Sequence, residues 1–189
     1  FRVTIPMAGQ RLFCRVRALD SSEPGPAILI NEVMCDNESA LPDQEGAFWD
    51  WIELYNPNDE AVDLTGYALS DDAAAPGRWR FPGVLLQPHG FLLVYASSLD
   101  RTNPDEPLHT SFRLSAAGET VILSDPALRP LDQLQVPALA SDQSMGRMPD
   151  GAAELRLYDK DAITPGRENA VAGDGPVVLA PTFAPDGGF

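Results

Sequence analysis

The chain has 189 residues and carries 28 acidic side chains against 13 Lys and Arg, which gives a formal charge of −15. A hydrophobic content of 44% is high enough for a packed core, so a wholly disordered chain is excluded. The negative charge argues against nucleic acid or an anionic membrane surface as a partner. No apolar run has the length of a transmembrane helix, so we expect no membrane insertion.

The first 27 residues are predicted to be the end of a preceding β module and a linker. Two runs, residues 1–5 and 12–18, have the apolar pattern of short strands, and a Ser/Pro/Gly-rich stretch at 21–26 then interrupts it. The chain starts within such a run and without Met, which predicts an internal segment of a longer protein. We expect residues 1–27 to add a strand to a sheet edge of the main body or of another chain.

Short extended segments, separated by turn residues, fill the chain from residue 28 onward. The strongest is residues 49–55, where apolar residues alternate, and residues 91–96 are apolar on both faces. A single helical turn is predicted at residues 97–101. The predicted strands cover residues 28–34, 49–55, 62–64, 67–70, 79–81, 91–96, 109–114, 120–123, 131–134 and 144–148. This spacing predicts an all-β fold, a two-sheet immunoglobulin-like β-sandwich at residues 28–169.

The last twenty residues, 170–189, are rich in Ala, Gly and Pro. We expect a linker and the start of a following module there, with residues 177–179 as its one apolar cluster.

The chain has two cysteines, Cys14 and Cys35, and no Cys-x-x-Cys pair or Cys/His cluster. Zinc and redox motifs are therefore excluded. In an oxidising compartment the two could form one disulfide, but two buried thiols are the interpretation that we favour.

An acidic stretch without any basic residue lies between Ala18 and Gly77 and holds 14 carboxylates. Calcium takes six to eight hard oxygen ligands, so carboxylates on and between the first two strands are candidate ligands. The candidates are Glu32, Asp36, Asp50 and Glu53. Because their spacing fits no established calcium motif, we favour the alternative that Glu53 and Asp50 accept hydrogen bonds from turn backbone or pair with Arg80 or Arg113. No other cofactor is predicted.

Aromatic residues near this acidic stretch suggest a carbohydrate site. Trp51, Tyr55 and Trp79 would stack on sugar rings if they were exposed, but packing in the core is the interpretation that we favour. His89 and His109 are the only histidines, and no Gly-x-Ser-x-Gly motif accompanies them, so we expect no catalytic triad and no enzyme activity. Arg147 is predicted to bond buried carbonyls or an acid.

Residues 28–169 resemble the lamin-tail domain of bacterial proteins, an immunoglobulin-like fold. The motifs that carry the resemblance, in the order of the family, are INEVM (30–34), DWIELYN (50–56), VDLTGY (62–67), LSDD (69–72), WRFP (79–82), FRLS (112–115), GE (118–119), GRMPDG (146–151) and TPG (164–166). Residues 9–27 are similar to the end of a fibronectin type III domain. Residues 180–189 are similar to the start of a chitobiase C-terminal-type β module.

The resemblance implies a non-catalytic module of a larger bacterial protein that is secreted or displayed at the cell surface. Binding, adhesion or domain spacing is the role that it implies, with a protein or carbohydrate ligand and the neighbouring domains of the same chain as partners. The alternative is an accessory domain that positions a neighbouring catalytic domain of a secreted enzyme.

Overall fold

The computed structural model describes residues 27–169 and the backbone of residues 177–179. The predicted strands at residues 1–5 and 12–18, Cys14, and the fragments similar to fibronectin type III and chitobiase-type modules lie outside the described residues, apart from Ala27.

Thirteen β-strands and no helix make up the part of the chain that the structure describes, so the fold is all-β, as predicted. The strands are β1 (Leu29–Met34), β2 (Asp50–Tyr55), β3 (Val62–Asp63), β4 (Ala68–Ser70), β5 (Trp79–Arg80), β6 (Leu85–Leu86), β7 (Phe91–Ala96), β8 (Leu108–His109), β9 (Gly118–Ser124), β10 (Pro130–Pro137), β11 (Ser144–Arg147), β12 (Glu154–Tyr158) and β13 (Val177–Leu179).

The strands form two main sheets. The larger has seven strands in the order β13-β12-β11-β1-β2-β7-β8, and the smaller has four in the order β10-β9-β4-β5. Strands β3 and β6 form a separate pair. Every neighbouring pair is antiparallel except β7 and β8, which are parallel. The architecture is the immunoglobulin-like β-sandwich that the strand spacing predicted.

The main core lies between the inner faces of the two sheets. Fully buried aliphatic side chains from both sheets pack there, and each stabilises the fold by roughly 1.5–3 kcal/mol relative to an exposed position. They include Ile30, Ile52, Leu54, Leu69, Val94, Val121, Leu123 and Met145. Cys35 is a buried free thiol in this core, and burial raises its pKa to about 12.

A β-bulge in β1 determines which of its side chains point away from the main core. Ile30 pairs with Leu54 and Glu32 pairs with Glu53, so Asn31 and Glu32 together oppose one residue of β2. The extra residue keeps both Ile30 and Val33 in the main core. Asn31 and Glu32 therefore lie on the outer face of the seven-stranded sheet.

That outer face carries a second, smaller core. Met34, Trp51, Tyr95 and Tyr158 project from four different strands and pack with Ile163, which belongs to the segment after β12. Leu41 and Trp49 from the loop between β1 and β2 pack at its margin. The loop at 36–49 and the segment at 159–169 therefore cover a face that a simple sandwich leaves to solvent.

The structure differs from the predicted secondary structure at residues 97–101, at residues 110–114, which lie outside β8, and at residues 177–179. The helical turn expected at residues 97–101 is absent, because Ser98 and Asp100 have left-handed backbone, with φ of 66° and 53°. Residues 177–179, expected within a linker, form β13 and pair with β12 at the edge of the large sheet.

Candidate functional site

Two of the four predicted calcium ligands face each other across β1 and β2. Glu32 and Glu53 are fully buried, and their carboxyl groups are occupied by donors of the protein. Glu53 Oε1 accepts a hydrogen bond from Asn31 Nδ2 at 3.1 Å, and its Oε2 accepts one from the backbone N–H of Gly166 at 2.5 Å. Glu32 Oε1 accepts the hydroxyl proton of Ser144. Neither side chain offers a cation a free, solvent-facing oxygen.

Thr164 connects Glu32 to Asn169. Thr164 Oγ1 lies 2.6 Å from Asn169 Oδ1 and 3.1 Å from Glu32 Oε2. Asn169 Nδ2 donates to the carbonyl of Arg147 at 2.7 Å, which fixes Oδ1 as an acceptor. The hydroxyl of Thr164 therefore donates its one proton between the carboxyl of Glu32 and the amide oxygen of Asn169.

Burial has the same effect on both acids of the pair. Removal from water raises the pKa of Glu32, and it raises the pKa of Glu53 to about 8. The charge of Glu32 raises the pKa of Glu53 further, and Asp150 raises the pKa of both. The pair is a buried, proton-holding link between the sheet and the segment at 159–169.

Asp36 and Asp50 lie apart from the buried pair. Asp50 is three residues from Glu53 on β2 and therefore points to the opposite face of the strand. Asp50 Oδ1 accepts the backbone N–H of Asn37 at 3.0 Å, and Asp36 Oδ2 accepts the hydroxyl of Ser141 at 2.6 Å.

No group of three or more His, Cys, Asp or Glu side chains is placed to hold a metal ion among residues 27–169. Backbone N–H donors reach Glu53 and Asp50, as the alternative interpretation expected. The calcium hypothesis for Glu32, Asp36, Asp50 and Glu53 stays a prediction, and the geometry brings the four residues to no common site.

Two of the three predicted sugar-stacking residues are inside the protein. Trp51 lies in the second core, and Trp79 packs edge-on against Phe81 in the main core, so neither ring is open to a ligand. Tyr55 is partly exposed and stacks on Phe91 with ring centroids 5.0 Å apart. The carbohydrate hypothesis therefore retains Tyr55 alone of the three.

A serine–histidine pair lies within the fold. Ser97 Oγ is 2.9 Å from His109 Nδ1, and both residues are buried. His109 stacks on Tyr95, and its Nε2 has no hydrogen-bond partner among the described residues. Burial lowers the pKa of His109. Ser97 Oγ also accepts the N–H of Leu99. The pair therefore holds the chain after β7, and no substrate could reach it in this geometry.

Arg147 makes the bonds that its position predicted. Its Nε donates to the carbonyl of Ile30 at 2.8 Å and its Nη1 to the carbonyl of Ala152 at 2.6 Å. Its Nη2 is 3.0 Å from both carboxylate oxygens of Asp132. Asp132 in turn accepts the N–H of Ile30 at 2.7 Å. Because Asp132 lies on β10 and Arg147 on β11, the ion pair joins the two sheets.

Gly146 has no room for a side chain beside this network. A methyl group there would lie 2.9 Å from Asn169 Nδ2 and 3.0 Å from the carbonyl of Asn31. We expect Gly146→Ala to lower the free energy of unfolding by about 1–3 kcal/mol, measured by urea denaturation. Gly83→Ala is the matched control, since its nearest atom would be Thr65 Oγ1 at 3.5 Å. An equal loss in both variants would contradict the prediction.

One end of the seven-stranded sheet holds the start of β1 and the end of β13. The chain enters at Ala27 and begins β1 at Leu29, while β13 ends at Leu179, which pairs with Glu154. The registers through β11 and β12 place Leu29 and Leu179 at the same end of the sheet. We call this end the terminal pole. Three inter-strand spacings, about 14 Å, separate the two points.

The opposite end is called here the loop pole. β1 ends there at Met34, β2 begins at Asp50 and β7 ends at Ala96. The loops at 36–49 and 97–107 and the segment at 138–143 begin or end at this pole. The described chain therefore enters β1 and leaves β13 at the terminal pole, and the loop pole is the other end of the sheet.

These observations define the protein as an immunoglobulin-like β-sandwich module whose buried carboxyl groups bond to other groups of the protein. Residues 21–138 match the family model of the Lamin Tail Domain, and the chain belongs to that family. Domains of this family are generally non-catalytic. A search of curated proteins finds no match. Strands β11 to β13 lie beyond the matched residues, yet they continue the sheet from β1.

None of the described residues forms a helix that is long and apolar enough to cross a membrane.

Proposed function

We propose that the chain is a non-catalytic, extracellular module of a larger bacterial protein and that it presents its loop pole to a binding partner. The observation that carries the proposal is that β1 begins and β13 ends at the same pole. A module that separates its neighbours in a line has its ends at opposite poles. From the shared pole we infer that the sandwich branches sideways from the parent chain and presents its opposite pole to a partner.

The reactive side chains are buried or bonded to other groups of the protein, which supports a non-catalytic role. Catalysis requires a nucleophile or an acid and a base that open to a substrate-sized space. Ser97 and His109 are buried, and the carboxyls of Glu32 and Glu53 are engaged by the protein. The acidic composition, with a charge of −15, supports an extracellular, soluble setting.

A second function, the accessory domain of a secreted enzyme, is favoured by the same geometry in one respect. Ends that lie about 14 Å apart allow the module to branch from a neighbouring domain without disturbing its fold.

A domain replacement in the full-length protein tests the proposal. Residues 27–179 are exchanged for a Gly/Ser linker of about seven residues, which spans about 14 Å. We expect the rest of the protein to fold and retain any activity, while its attachment to a partner or surface is lost. The control exchanges the same residues for an unrelated domain with similarly close ends. A fall of tenfold or more in a neighbour's turnover with unchanged attachment would overturn the binding role, and turnover by the isolated module would overturn the non-catalytic role.

A further inference from the structure

We propose that the loop pole binds a cationic segment of another protein, with Phe48 and Leu99 as its two apolar anchors. This inference rests on the proposed function and names the chemistry of the partner.

The first observation is where exposed apolar side chains lie. Large hydrophobic residues that are well exposed are Phe48, Leu85 and Leu99, at 41%, 58% and 43% of their surface, within the residues that the structure describes. Phe48 and Leu99 belong to two loops of the loop pole, at 36–49 and 97–107. Leu85 lies on β6, away from that pole. Aromatic side chains are enriched in protein interfaces, so Phe48 is the stronger of the two anchors and Leu99 adds apolar area beside it.

The backbone holds Leu99 outward in a strained turn. Its two neighbours, Ser98 and Asp100, both have left-handed φ, which is unfavourable for residues other than glycine. The N–H of Ser98 donates to the carbonyl of Phe112, and the N–H of Asp100 donates to the carbonyl of Thr110, each at 3.1 Å. The turn is thus fixed before any partner arrives, which reduces the entropy lost on binding.

Two contacts join the loop of Phe48 to the loop of Leu99. Arg101 forms an ion pair with Glu45 at 2.9 Å. The guanidinium of Arg113 lies 5.2 Å from the centroid of the Trp49 ring, and its Nε donates to the carbonyl of Ser97 at 3.2 Å. The residues next to Phe48 and next to Leu99 are therefore fixed to each other, so the two loops form one surface.

The charge around these anchors selects the partner. Residues 36–50 and 97–113 hold eight acids and two arginines, and Lys160 contacts Ser39 and pairs with Asp142 at the same pole. Arg101 is paired with Glu45 and Arg113 lies over Trp49, whereas Glu38, Asp100, Asp105 and Glu106 are exposed. A partner with Lys or Arg beside an apolar residue complements both features. A second copy of the chain would bring a second negative pole to the contact and be repelled.

Titration of the chain with defined peptides, followed by backbone amide NMR, tests the inference. The probe has about twelve residues, a central phenylalanine and two lysines on each side in a Gly/Ser background. Its two counterparts carry glutamate for lysine or serine for phenylalanine. We expect the lysine–phenylalanine peptide to shift amides of residues 42–49 and 97–101, with weaker binding at higher salt. Each counterpart is expected to bind at least tenfold more weakly.

The variant pair Phe48→Ser/Leu99→Ser is expected to weaken binding about tenfold or more. Leu85→Ser is the matched control, an exposed leucine outside the surface, and its binding is expected to equal that of the wild type. Far-UV circular dichroism and thermal melting of both variants confirm folding. Equal binding by the double variant, shifts that map to the terminal pole, or concentration-dependent shifts without peptide would overturn the inference. If no peptide binds while domain replacement still abolishes attachment, this inference fails and the proposed function stands.

Discussion

Replacing Arg147 by methionine is expected to lower the free energy of unfolding by about 3–5 kcal/mol. Methionine fills similar volume but removes the partner of Asp132, a carboxylate that is mostly buried between the sheets. Burial already raises the pKa of Asp132, and the charge of Arg147 is the largest influence that lowers it. The substitution also leaves the carbonyls of Ile30 and Ala152 without their donor. Urea denaturation at pH 7 measures the loss.

Two further variants separate the ion pair from packing. Arg147→Lys retains the charge but lacks the forked donors that reach Asp132 and two carbonyls together, so we expect it to recover only part of the loss. The double variant Arg147→Met/Asp132→Asn removes the unpaired charge, and we expect it to be more stable than Arg147→Met alone. A double variant that is less stable than the single one would contradict the assignment of the loss to a buried, unpaired carboxylate.

Strands that lie between two other strands of the large sheet could be predicted from the sequence. β7 coincides with its predicted bounds and β2 differs by one residue, because both are rich in apolar residues and lie inside the seven-stranded sheet. β6 was missed because two residues carry no recognisable period. β12 was missed although its alternating charged and apolar residues fit a strand, because the run is short and lies between polar turns, and pairing with β11 completes it.

The buried acids could be found from the sequence, but their role could not. Glu32 and Glu53 stand out as carboxylates inside strong strands. Whether they face water depends on the bulge at Asn31 and on contacts with distant residues. Gly166 lies 113 positions from Glu53, and Thr164 lies 132 positions from Glu32. No local pattern encodes the segment that covers them, so the sequence could favour hydrogen bonding over a cation site but could not name the donors.

Glu53→Gln is expected to remove a large part of the pH dependence of stability. Burial raises the pKa of Glu53 from its ordinary 4.5 to about 8, so the folded state holds a proton that the unfolded state releases between these values. Stability from this group is therefore complete below pH 4.5 and is lost as pH rises through 8. We expect the wild type to lose on the order of 3 kcal/mol between pH 5 and pH 8 from Glu53.

The slope of the free energy of unfolding against pH, compared between the variant and its control, isolates the contribution of Glu53. The NH2 group of glutamine would face either Asn31 Nδ2 or the N–H of Gly166, and both of these are donors. The variant should therefore be less stable than the wild type at pH 5. Its free energy of unfolding should vary less with pH, because glutamine does not titrate. His109, whose pKa burial lowers, acts in the opposite direction and equally in both proteins. Glu60→Gln, at an exposed position, should retain the wild-type slope. Urea denaturation at intervals between pH 5 and pH 8.5 measures the slopes. Parallel curves for the wild type and Glu53→Gln would show that Glu53 is ionised in the folded protein throughout this range and would contradict the prediction.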